Sequence, residues 1–151
     1  MRLNPYEADV DAYGYLRGLA VHLAKSSLDS GVRLLAELRV SQINGCAFCL
    51  AMHSDSARKR GVAQSKLDQL AGWRDSSEFS AEERAALALA EEVTRIGDGT
   101  RVSDATWKAA REVFSDDALA ALLYAIGLIQ LWNILNVASE VPAGLELPRP
   151  G

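Results

Sequence analysis

Between Ala118 and Ile129 the chain carries no charged side chain, and the apolar run extends to about Ser139, with Gln130, Asn133 and Asn136 interrupting its second half. Ser115, Asp116 and Asp117 give it a helix start. A helix apolar on almost every side has to be buried on several sides, so the other elements must be arranged around this one. Its length would suit a membrane span. The three amides and the lack of a second membrane-like segment favour the core of a helical bundle instead, and no membrane partner is expected. In a chain of 151 residues such a helix also points to burial against a neighbouring subunit.

Elsewhere apolar residues recur at helical spacing, Gly and Pro fall mainly between these stretches, and no alternation is long enough for a strand. The expected fold class is all-α: one domain over 1–151, a bundle of about six to seven helices, with 140–151 a Pro-containing tail. Asn4 and Pro5 read as a cap and first helical residue, opening a helix through Leu16, Leu19, Ala20 and Leu23 that ends near Lys25 to Ser27. A second helix runs from Ser30 to Ile43, with Leu34, Leu35, Leu38 and Val40 inward, and is stopped by Asn44 and Gly45. The third begins near Cys46 and reaches Arg60. A short helix over 63–73 follows, and Ser80 with Glu83 has capping-box spacing before a run to about Ile96. Gly97 and Gly99 mark a break, and Ser103 caps a further helix through Trp107 and Val113.

The formal net charge is −4, and the longest basic run is Arg58, Lys59 and Arg60, so nothing matches a phosphate backbone and no nucleic-acid partner is expected. Residues 1–11 contain acids and no apolar stretch of the secretory kind, which points to a cytoplasmic protein. Structural disulfides are rare there, and a bridge between Cys46 and Cys49 would close too small a loop to act as a staple. The pair therefore calls for a chemical explanation.

If a helix begins at Cys46, Cys49 lies one turn on, offset by ~60° around the axis, with His53 stacked over Cys49 on the same face. A helix N-terminus and a neighbouring imidazole both favour thiolate, the reactive form of cysteine. Two thiols so spaced can turn over: one attacks an oxidant and becomes a sulfenic acid, and the other condenses with it to a disulfide that a reductant reopens. The stacking against His53 assigns attack to Cys49 and resolution to Cys46. Two other readings stand beside this one. The cysteines could be two buried small hydrophobes. Alternatively Cys46, Cys49 and His53, with His22 or Glu37, could ligate zinc, although the second close-spaced ligand pair typical of a structural site is missing.

The series Ser41, Gln42, Asn44, Gly45, Cys46, Cys49 and His53 resembles the core motif of the AhpD-like alkylhydroperoxidases, within the carboxymuconolactone decarboxylase superfamily. The likeness is specific around the motif and, through Trp132 and Asn133, compatible over most of the chain. It implies an all-α homo-oligomer, trimer or hexamer, with thiol-dependent peroxidase activity and no cofactor. It also implies that the second cysteine, here Cys49, becomes the sulfenic acid. The glutamate that members often carry in a proton relay falls at Leu34 here. The nearest acid, Glu37, is one turn closer, either a substitute from the same face or a solvated charge. The best-studied branch has a histidine between its cysteines, where this chain has Phe48.

The reading that follows is a peroxidase: Cys49 attacks the peroxide, His53 manages the proton with Glu37 as candidate relay acid, Cys46 closes the disulfide, and an unidentified thiol or dithiol reductant supplies electrons. Redox sensing by the same thiols with little turnover is the alternative. Decarboxylation of a carboxymuconolactone is disfavoured by the cysteine pair. Ser41, Asn44 and the three tryptophans read as structural, and His22 as an exposed or satisfied histidine.

Overall fold

The structure is a computed structural model that describes residues 1–148. Among these there are eight α-helices, two short 3-10 turns and no strand: α1 (Pro5–Ala8), α2 (Val10–Leu23), α3 (Ser30–Asn44), α4 (Ala47–Lys59), α5 (Gln64–Gln69), α6 (Ala81–Thr94), α7 (Asp104–Val113) and α8 (Asp116–Ser139). The class is the expected one, and the count exceeds the expected six to seven. The N-terminal helix is divided at Asp9, whose backbone leaves the helical region (φ −142°, ψ 86°) while its carboxylate accepts from the Ala12 N–H, 2.9 Å away. An aspartate that can cap the next helix competes locally with continuing the previous one. The same helix ends at Leu23, slightly before the expected stop. Residues 70–72 tighten into a 3-10 turn, so the helix expected over 63–73 stops early.

Other boundaries follow the local chemistry. Asn4 accepts from the Tyr6 N–H with Pro5 in the first turn. Gly45 closes α3 in the left-handed conformation (φ 67°) that a glycine adopts without steric penalty. Ser80 and Glu83 form the full capping box of α6, and Ser115 caps α8 two residues ahead of the expected start at Ala118.

Helix α3 lies between two apolar clusters. On one side Leu34, Leu35 and Leu38 pack with Ala57, Leu70, Trp73, Phe79 and Leu87. On the other, Val32, Ala36 and Val40 join Leu122, Ile126 and Ile129 of α8, Leu89 of α6 and both cysteines. Helix α8 is long and apolar enough to cross a membrane by length and composition, but half of its most apolar window is buried inside the protein. Its buried face includes Asn133 and Asn136. These amides lock α8 to α3: Asn44 Nδ2 donates to Gln130 Oε1 and Asn133 Oδ1, both at 3.0 Å, and Asn133 Nδ2 donates to Ser41 Oγ at 3.2 Å. Ser41 in turn donates to the Glu37 carbonyl. Buried amides are tolerated in an apolar helix because each finds a partner.

The expected tail over 140–151 is described as far as Pro148; its last three residues lie outside the described region. Leu145 and Leu147 pack on the core, and the Tyr13 hydroxyl donates to the Pro148 carbonyl at 3.3 Å. The described part of the tail is thus a strap across α2.

Candidate active site

The turn at Gly45 sets the position of Cys46. Its N–H donates to the Ser41 carbonyl across the end of α3 (3.0 Å), and its side chain caps α4 by accepting the Cys49 N–H at 3.3 Å. Cys46 is therefore the cap of α4 rather than its first helical residue. Both cysteines are free thiols and both are buried. The Cys49 side chain and N–H bonds hold the Cys46 thiol down, against burial, to about 6. The same shared proton, bound between the sulfurs, pushes the Cys49 thiol up, and burial adds to it. In the resting dithiol the negative charge thus rests on Cys46 and the proton on Cys49.

A second polar chain reaches Cys49 from α8. Asn136 Nδ2 donates to Cys49 Sγ at 3.3 Å, and the Tyr6 hydroxyl donates to Asn136 Oδ1. The Tyr6 bond fixes which end of the amide faces the sulfur. The Tyr6 hydroxyl stays protonated because burial raises it further than Asn136 lowers it. Tyr6 sits in an aromatic group with Tyr13, Phe48 and Trp132, so α1 is held over the site by packing as well as by this bond.

One turn further along α4, His53 Nδ1 lies 2.9 Å from Glu37 Oε2, while Arg33 Nη1 donates to Glu37 Oε1 at 2.7 Å. The His53–Glu37 contact is a charge contact without the alignment of a hydrogen bond, and both imidazole nitrogens are buried without a hydrogen-bond partner. Burial pushes the Glu37 carboxyl up, but His53 and Arg33 together outweigh it and hold it below the usual glutamate range. Glu37 is thus a buried carboxylate at the site, not a solvated charge, and it reaches His53 from the α3 face the sequence suggested.

Cys49, Met52 and His53 of α4 open onto one cavity of about 300 Å³. Its other walls are Arg33 and Glu37 of α3, Arg17, Ala20, Val21 and Leu23 of α2 with Ala24 just beyond it, Leu128, Ile129, Trp132 and Asn136 of α8, together with Tyr6, Tyr13, Phe48 and Leu147. Cys46 does not line it. The structure therefore gathers Cys46, Cys49, His53 and Glu37 in one place. It leaves His22 exposed on α2, and no group of three or more His, Cys, Asp or Glu side chains among the described residues is arranged to hold a metal. Tyr6, Arg33 and Asn136 are site residues that the sequence reading did not single out. Asn136 alone had a visible signal, as an amide at a buried position of an apolar helix.

The sequence model of the carboxymuconolactone decarboxylase family matches residues 10–92, a span that holds α2 to α5, most of α6 and the whole cysteine motif. The chain belongs to this family. Its AhpD-like character is carried by a crystal structure of a protein of unknown function from Agrobacterium tumefaciens, for which the role of an AhpD antioxidant defence protein has been suggested. That protein is 32% identical, with a TM-score of 0.90 over 96% of this chain and 99% of the other. The uncharacterized protein YdfG of Bacillus subtilis is 34% identical over 91% of this chain and 92% of its own length. An uncharacterized peroxidase-related protein from Silicibacter sp. TM1040 shares the fold, with a TM-score of 0.80 at 21% identity over 94% of this chain and 75% of the other.

Proposed function

We propose that this protein is a cytoplasmic thiol peroxidase that reduces hydrogen peroxide or organic hydroperoxides through a Cys46–Cys49 dithiol cycle. The observation that carries the reading is the cavity. It presents one sulfur, Cys49, together with an imidazole whose Nε2 has no hydrogen-bond partner, while the second sulfur stands behind the first as a ready thiolate.

In the first half-reaction the Cys49 proton passes to His53, whose Nδ1 stands 2.9 Å from Glu37 Oε2. Cys49 Sγ then attacks the terminal peroxide oxygen and the O–O bond breaks. Sulfur is oxidised to the sulfenic acid, and the leaving alkoxide or hydroxide takes the proton from His53 as alcohol or water. The donor N–H of Asn136 stabilises charge on Cys49 during this step. In the second half-reaction the Cys46 thiolate attacks Cys49 Sγ and expels hydroxide, which is protonated to water, leaving a disulfide. A thiol or dithiol reductant supplies two electrons through a mixed disulfide and restores the pair. The low Cys46 value suits a resolving nucleophile that must act before the sulfenic acid is over-oxidised.

Assembly as a homo-oligomer, trimer or hexamer, belongs to the same proposal. Ala120, Tyr124, Gly127, Leu131 and Ile134 form an exposed, uncharged seam along α8 with the alternating three- and four-residue spacing of helix–helix packing. A second copy of the chain supplies the complementary apolar seam.

Intact mass after titration of the reduced protein with cumene hydroperoxide tests the cycle. Wild type should lose two hydrogens stoichiometrically, Cys46→Ser should accumulate a trappable sulfenic acid, and Cys49→Ser should not. Trapping on Cys49→Ser alone would reverse the two roles. The complete burial of both thiols favours one second reading, a redox sensor that oxidises slowly without efficient turnover. Sustained peroxide consumption with a recycling dithiol separates the two.

A further inference from the structure

Two cations face the cavity, and they are not equivalent. Arg33 is held by Glu37 at 2.7 Å. Arg17, one turn after Tyr13 on α2, has no carboxylate within ion-pair distance among the described residues. Its guanidinium lies 6.0 Å from the Tyr13 ring centroid, at the outer limit of a cation–π contact. Tyr13 in turn is pinned by the Pro148 carbonyl and by edge contacts with Tyr6 and Trp132. The guanidinium thus stands beside a fixed ring at the mouth of the cavity, with its donor fork free for a planar anion. The remaining wall is largely apolar, and the volume of about 300 Å³ is at the small end of the range for organic ligands. An aromatic or short branched body fits that space better than a long chain.

We infer that Arg17 is an anion-recognition residue and that the cavity takes a compact apolar molecule bearing a carboxylate, the acid head on Arg17 and the apolar body toward Trp132 and Cys49. In terms of the proposed reaction, on which this inference rests, the preferred oxidant is the hydroperoxide of an arylalkyl acid rather than hydrogen peroxide. Arg17 pairs with the carboxylate and transfers no proton. Glu37 leaves this recognition undisturbed because Arg33 already pairs with it at 2.7 Å.

Two measurements test the inference and separate its failure from that of the peroxidase reading. In the first, 4-isopropylbenzoate and its neutral amide are titrated into reduced protein and into Arg17→Met and Arg17→Lys, with Trp132 fluorescence and calorimetry as readouts. The acid should bind about 10-fold or more tighter than the amide, as a charge-assisted pair allows. That preference should vanish in Arg17→Met and return in part in Arg17→Lys. Equal binding of acid and amide to wild type, or an unchanged preference in Arg17→Met, overturns the inference whatever the chemistry of Cys49. In the second, single-turnover oxidation by cumene hydroperoxide is compared with that by its ring-carboxylated analogue. Faster reaction of the analogue in wild type, with the ratio falling toward one in Arg17→Met, extends the preference to turnover. If neither peroxide oxidises the thiols while the acid still binds through Arg17, the peroxidase reading fails and the anion site stands.

Discussion

Asn136 Nδ2 lies 3.3 Å from Cys49 Sγ, and the other end of the same amide is held by the Tyr6 hydroxyl. One side chain of α8 therefore orients a donor at the Cys49 sulfur, and a tyrosine of α1 fixes that donor's direction. Asn136→Leu should slow Cys49 oxidation by roughly 10-fold and, by orphaning the buried Tyr6 hydroxyl, destabilise the fold by about 1–3 kcal/mol. Tyr6→Phe frees the amide to turn and should lower the oxidation rate by a smaller factor. Stopped-flow oxidation and urea unfolding read the two effects separately. Equal oxidation rates in wild type and Asn136→Leu would remove the amide from the chemistry.

The shared proton between the cysteines makes a prediction about pH. With Cys46 at about 6, the thiolate absorbance of reduced protein should rise with a midpoint near that value. Below it, thiolate-dependent steps should slow by about 10-fold per pH unit. Because the largest support is the bond from the Cys49 side chain, Cys49→Ala should move the Cys46 midpoint upward toward the ordinary thiol range. Ultraviolet titration of the two proteins decides it, and an unmoved midpoint would show that the helix start alone sustains the thiolate.

Glu37 connects the site to acid stability. Its folded-state value is held below the ordinary glutamate value by His53 and Arg33 despite burial. A lowered carboxylate adds stability above its unfolded value of about 4.3 and loses it as pH falls through the folded value. Glu37→Gln should therefore flatten the acid limb of the unfolding curve below that pH. At neutral pH it should cost about 1–3 kcal/mol, because the half-buried Arg33 is left without its carboxylate. Oxidation by peroxide should also slow, by about 10- to 100-fold, if the imidazole needs that carboxylate. Denaturant melts from pH 3 to 7 against wild type supply the first comparison, and a parallel acid limb in both proteins contradicts it.

The α8 seam predicts assembly. Leu131→Glu and Tyr124→Glu each put a charge on a stripe that otherwise has none. Either should shift the protein to monomer in sedimentation velocity while leaving the circular dichroism of the helices intact. An unchanged sedimentation coefficient would locate any interface elsewhere.

The fold was legible wherever a single residue type decided an element. Asn4 and Pro5, Ser80 with Glu83, Gly45 and Ser115 act through neighbouring backbone groups and can be read locally. The division at Asp9 was not legible, because an aspartate inside a helical pattern either points outward or caps, and only the packing of Tyr6 under α8 decides which. In the site, Cys49 and His53 share α4 and Cys46 caps it, so spacing alone brought them together. Glu37 could be placed on the correct face but not paired, since its contacts with Arg33 and His53 depend on how α3 and α4 pack. Tyr6 and Asn136 are 130 residues apart and meet only through the tertiary fold. No local pattern encodes such a meeting.

Cys46 is a structural cap as well as the proposed resolving thiol, and this bears on how the site can be dissected. Serine is among the best helix caps and alanine among the poorest. Cys46→Ser therefore removes the sulfur and leaves the first turn of α4 anchored, whereas Cys46→Ala removes both. Amide hydrogen exchange at Cys49 gives the two variants different clocks: slow in the serine protein, and faster by the lost cap in the alanine protein. Any loss of activity common to both belongs to the sulfur, and any excess in Cys46→Ala belongs to fraying of the helix that carries Cys49 and His53.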